Sequence, residues 1–173
     1  MKRTLAFVII LALLLGGNSV YASAVYDTKS AAVPFVTVEY LTTNSADEEA
    51  PVAGITDTGI HGGLRVTVID LSTSGSVDIN WAISGNSTVR STYNYTTAST
   101  KIILIVASSP TSNITFTLYD SSDVRIATQT VQLSSSPSMK ITFSNLLSNR
   151  EYYIKAQNVG QGYTTVTGTI SAK

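Results

Sequence analysis

Period-two alternation, repeated along most of the chain, is the feature that most constrains its fold. Val77, Ile79, Trp81 and Ile83 alternate with Asp78, Asn80 and Ala82, and Phe116 and Leu118 alternate with Thr115, Thr117 and Tyr119. Met139, Ile141 and Phe143 alternate with Lys140 and Thr142; Tyr152, Ile154 and Ala156 with Tyr153, Lys155 and Gln157; Val36, Val38 and Tyr40 with Thr37 and Glu39. Successive side chains of a strand point to opposite faces, so each run puts an apolar face on a core and a polar face in water, a pattern that a helix cannot satisfy. The 23 serines and 24 threonines suit outward strand positions and the turns between runs. The segment Lys101-Ile102-Ile103-Leu104-Ile105-Val106 is apolar on both faces and reads as a central strand.

Turn signals at Ser72-Thr73-Ser74-Gly75, Ser84-Gly85-Asn86, Ser108-Ser109-Pro110, Asp120-Ser121-Ser122-Asp123 and Ser134-Ser135-Ser136-Pro137 cut the chain into short strands. The expected fold is all-β: an antiparallel β-sandwich, jelly-roll or immunoglobulin-like, of eight to ten strands with little or no helix. The apolar phase flips between Ile126 and Val131, which predicts a bulge or bend near Gln129. Residues 43–63 are acidic and broken by Pro51, Gly54, Gly59, Gly62 and Gly63, so they read as one long loop.

The first 24 residues read differently. Lys2-Arg3, an apolar run from Leu5 to Leu15, and small residues at Ala22 and Ala24 have the order of a secretory signal peptide, with cleavage expected after Ala22 or Ala24. Residues 25–173 then form a single β-sandwich domain carrying nine basic and eleven acidic residues, net −2. That balance argues against nucleic acid and anionic lipid as partners, since both require clustered cations. The chain has no cysteine, so its stability rests on a packed core without disulfides and no lipid-bearing Cys follows the leader. A secreted, extracellular or cell-surface protein of a Gram-positive bacterium is the expected setting, with no membrane insertion once the leader is removed.

From Tyr93 to Ile170 the order of elements resembles the bacterial pre-peptidase C-terminal domain. The resemblance is carried by Tyr93-Asn94-Tyr95, the strand Ile102 to Val106, Leu118-Tyr119-Asp120, Tyr152-Tyr153-Ile154-Lys155 and Gly162-Tyr163. It implies a secreted jelly-roll-like sandwich that accompanies extracellular proteases. Leu146-x-x-Asn149-x-x-Tyr152 is also similar to the tyrosine corner of fibronectin type III domains. Both resemblances imply a sandwich, and neither implies a catalytic residue.

Candidate sites are few. His61 is the single histidine and has no paired motif, so it reads as an exposed loop residue; with no cysteine beside it, zinc and copper lack their usual ligands. Calcium needs only oxygen, and Asp47, Glu48, Glu49 and Asp57 are the candidate ligands, with the Asp120 to Asp123 turn a further source. Tyrosine is the other functional signal. By alternation Tyr152 points inward while Tyr119 and Tyr153 point outward, with Tyr163 near a strand end, and outward tyrosines give flat amphipathic contact surfaces. The expected function is a non-catalytic binding module for an extracellular polymer or protein, with no cofactor other than calcium. The alternatives are a structural or self-assembling surface or matrix protein and, third, an extracellular hydrolase.

Overall fold

The computed structural model describes residues 33–41, 54–61 and 67–173; the leader of residues 1–24 and the acids Asp47, Glu48 and Glu49 lie outside the described residues. The described chain is an all-β sandwich of two sheets. In order its elements are β1 (Phe35–Tyr40), β2 (Thr56–Asp57), β3 (Thr67–Asp70), α1 (Leu71–Ser74), β4 (Ser76–Ile83), β5 (Thr88–Arg90), β6 (Tyr93–Thr96), β7 (Ile102–Ser109), β8 (Ser112–Asp120), β9 (Arg125–Leu133), β10 (Met139–Ser144), β11 (Tyr152–Asn158) and β12 (Thr164–Ser171). The first sheet runs β1-β10-β7-β12-β4-β2; the second runs β3-β6-β11-β8-β9, with β5 also paired to β11.

The long strands follow their alternation. In β4, Val77, Ile79, Trp81 and Ile83 are buried while Asn80 and Ala82 are exposed, and β7 lies between β10 and β12 with Ile102, Ile103 and Leu104 all buried. Both sheets contribute to one core, in which Trp81, Tyr95, Phe116, Phe143 and Tyr152 are the largest buried side chains. Each such side chain stabilises the fold by roughly 1.5–3 kcal/mol through the apolar area it removes from water. Gly168 lets β12 lie close against β7: a Cβ there would stand 1.9 Å from the carbonyl oxygen of Ile105.

Where alternation is absent, the fold departs from the expectation. The described residues hold twelve strands rather than eight to ten, and two pairs, β2 with β4 and β3 with β6, are parallel. β2 lies within the stretch read as a loop, and a strand of two residues leaves no period to read. The bulge is not at Gln129, which pairs regularly with Phe116; the register shifts between Leu118 and Tyr119, where Ala127 and Arg125 are the partners and Ile126 is the extra residue. The turn expected at Ser72 to Gly75 is one turn of helix, α1, capped by the Asp70 carboxylate, which accepts from Ser72 N at 2.9 Å. β1 is a marginal strand rather than a half-buried one: Val36 packs on the core, whereas Val38 and Tyr40 are exposed.

The segment Gly54 to His61 ties the two sheets together. Asp57, at the end of β2, is fully buried, and its carboxylate accepts from Gly59 N at 2.9 Å, Trp81 Nε1 at 2.9 Å, Thr92 N at 3.0 Å and the Tyr95 hydroxyl. Trp81 belongs to the first sheet and Tyr95 to the second, so one carboxylate bridges the layers. Burial, with the Asp57 charge added to it, pushes the Tyr95 phenol well above its ordinary range, which keeps its proton available for donation. Gly59 is required at this bend: its φ is +70°, and a Cβ would meet Val89 Cγ1 at 2.3 Å. Just beyond it Ile60 and Arg90 exchange backbone hydrogen bonds of 2.8 and 3.0 Å, which fixes β5. At the other end of β11, Tyr152 turns its hydroxyl back to Leu147, accepting from N at 2.9 Å and donating to O at 3.3 Å.

Candidate functional site

The outer face of the second sheet carries a groove of about 610 Å³. Its floor is set by register. Tyr153 stands opposite Tyr119, Lys155 opposite Thr117 on one side and Arg90 on the other, and Gln157 opposite Thr115 and Thr88. All of these side chains share the outward face because they sit at alternate positions of β11 and at the partners of those positions. Beyond β8, Thr115 and Thr117 are hydrogen-bonded to Thr130 and Thr128 at 2.8 and 3.0 Å, continuing a hydroxyl-bearing surface onto β9. Ile60 and Asp123 complete the lining.

At one end the aromatic rings form a ladder. Tyr119 and Tyr153 are stacked, with centroids 5.2 Å apart and planes 7° apart. Arg90, reaching across from β5 on the opposite side of β11, holds its guanidinium 3.9 Å from the Tyr153 centroid, and Lys155 Nζ lies 4.6 Å from the Tyr119 centroid. Each contact is within cation–π range. The Tyr153 hydroxyl donates to Asp123 Oδ1. Burial, the bond to Asp123 and the charge of that carboxylate hold the Tyr153 phenol far above its ordinary range.

Two cations, Arg90 and Lys155, and one acid, Asp123, line the groove. Lys140 pairs with Glu39 and Arg150 with Asp120, whereas Arg90 and Lys155 form no ion pair among the described residues. Arg90 Nη2 donates to Asn94 Oδ1 at 3.0 Å, while its buried Nε has no acceptor. Asp123 is the one acid lining the groove, and it is engaged by Tyr153.

The residues singled out from sequence fall in different places. Tyr119 and Tyr153 meet in the groove, but Tyr153 is only 1% exposed, so its ring supports the ladder rather than presenting an open face. Tyr163 is 58% exposed and lies outside the groove lining, beside Thr165. Asp57 is not in a solvated acidic loop; both of its oxygens accept from protein donors inside the fold. Asp47, Glu48 and Glu49 are outside the described residues, among which no three His, Cys, Asp or Glu side chains converge. His61 is exposed. Lys155 and Gln157 share the outward phase of Tyr153 and could have been selected with it, whereas Arg90 lies on a three-residue strand with no period.

Comparison with protein-family models, with curated proteins and with solved structures finds no match to this chain.

Proposed function

We propose that the chain is a secreted, non-catalytic binding module that holds an extracellular polymer in the groove on its second sheet. The observation that carries this reading is the pairing of an aromatic stack with two unpaired cations and rows of hydroxyl and amide side chains in one open groove. Such a surface grips a chain of polar units through many modest contacts. A single groove carboxylate, already engaged by a tyrosine hydroxyl, offers no acid and base pair for hydrolysis. The resemblance of residues 93–170 to the pre-peptidase C-terminal domain points the same way. Export by the leader is part of this reading, and secreted material should begin at Ser23 or Val25 on N-terminal sequencing. Co-sedimentation with insoluble polymers tests the binding. Retention that drops about tenfold in Tyr119→Ala is expected, with the melting temperature lowered by only a few degrees through the lost ring stack, and no retention on any polymer would refute it.

One observation favours a second reading, a self-assembling surface protein. β1 is a six-residue marginal strand with Phe35, Val38 and Tyr40 exposed, and an exposed apolar edge is a template for pairing with a second copy of this chain. Sedimentation of the purified protein alone would favour it.

A further inference from the structure

Arg90 and Lys155 stand directly opposite each other in the pairing of β5 with β11, and both line the groove. Like charges at directly opposed positions on one face destabilise a sheet. Neither is paired to an acid among the described residues, and the domain as a whole is not rich in cations. The single groove acid, Asp123, is ion-paired to neither cation and accepts the Tyr153 hydroxyl on Oδ1, so one carboxylate charge stands against two cations. The aromatic ladder offsets part of the repulsion, since Arg90 lies against Tyr153 and Lys155 against Tyr119. Arg90 is held there by Asn94, which in turn donates to Glu151 Oε2 at 3.1 Å, so its guanidinium is positioned. A pair of cations on one sheet face, with its repulsion only partly offset by the tyrosine rings and one acid, is a place where an anion can bind.

The rest of the groove specifies what carries the anion. Thr88, Thr115, Thr117 and Gln157 follow the cations along the strands, presenting hydroxyl and amide groups that exchange hydrogen bonds with sugar hydroxyls. Two cations are too few for a polyphosphate backbone, whose binding rests on neutralising many charges, but they suit a polymer with a carboxylate at intervals. We infer that the groove takes an acidic polysaccharide, with a uronate carboxylate seated between Arg90 and Lys155 and neighbouring hydroxyls on the threonine rows. This rests on the binding-module reading and adds the ligand class to it.

The experiment is a titration of the purified chain with polygalacturonate, dextran and duplex DNA, repeated in low and high salt and with Lys155→Gln. Polygalacturonate should bind, weaken about tenfold or more between low and high salt as the charges are screened, and lose about tenfold in Lys155→Gln. Dextran should bind far more weakly. Dextran binding as tight as polygalacturonate, indifferent to salt and to Lys155→Gln, would overturn the acidic ligand and leave the binding module standing. Tighter binding of DNA than of polygalacturonate would overturn it in favour of a phosphate polymer. Failure of all three, with retention on no insoluble polymer, would remove the binding-module reading as well. Should Lys155→Gln fold poorly, Arg90→Lys supplies the second arm, with a smaller expected loss because the charge is kept while the planar donor fork is lost.

Discussion

Two polar clusters meet at the short stretch from Arg90 to Thr92, one on each side of the second sheet. Inside, the Asp57 carboxylate is fully buried and accepts from four donors drawn from both layers. Outside, Arg90 and Lys155 occupy opposed positions of β5 and β11, Arg90 against the Tyr153 ring and Lys155 against Tyr119, with no ion-pair partner among the described residues. The chain is shared: Thr92 N reaches inward to Asp57, while the Arg90 side chain turns outward, its backbone pinned to Ile60. The difference teaches how to separate architecture from function in such a sandwich. A buried charge survives when every lone pair is used, and then it fixes one geometry. A half-buried like-charge pair with no ion-pair partner contributes less to the fold, and on the binding-module proposal its role is to meet a ligand.

The largest effect should come from emptying the inner cluster. Asp57→Ala leaves Trp81 Nε1, Thr92 N and the Tyr95 hydroxyl without acceptors, at about 1–3 kcal/mol each, so a loss of roughly 5 kcal/mol is expected in urea unfolding. A loss below about 1 kcal/mol would erase the distinction between the clusters. Trp81→Phe sharpens it by removing one donor while keeping most of the apolar volume; about 2 kcal/mol should be lost with polymer binding intact. A smaller effect, and a pH-dependent one, should come from Asp120 at the end of β8. Burial alone would raise its pKa, but the N–H groups of Val124 and Ser122 and the Arg150 guanidinium outweigh it and hold the carboxyl below its ordinary value. A lowered native pKa contributes stability above the unfolded value of about 3.9 and loses it as pH falls through the native value. The stability gap between the parent and Asp120→Asn, about 1–2 kcal/mol near pH 7, should therefore close as the pH drops below about 4.

Much of the sandwich is legible in the sequence because long strands advertise their two faces. β4, β8, β10 and β11 each offer at least five alternating positions, and Trp81 is fully buried as that alternation requires. The short parallel strands β2 and β3 are invisible for the opposite reason: they are placed by Asp57 and by tertiary pairing with β4 and β6, without a period of their own. The groove was half legible. Tyr119, Tyr153 and Lys155 follow from phase, but the burial of Tyr153 under Arg90 depends on which strand flanks β11, and topology of that kind is not written in local alternation. Asp57 misleads for a related reason. Its setting of glycines and acids resembles a solvated loop, and only the fold reveals Trp81 and Tyr95 converging on it.

The most direct test is the melting temperature of Lys155→Glu. If the opposed cations are a strain retained for a ligand, reversing one of them turns repulsion into attraction across the strand pair. Attraction to Arg90 gains about 0.2–1 kcal/mol and offsets the lost contact of Lys155 with the Tyr119 ring, so the melting temperature should hold within roughly 3 °C while retention on polygalacturonate disappears. A lower melting temperature with retention unchanged would contradict the account, because Lys155 would then be holding the sheet together rather than waiting for an anion.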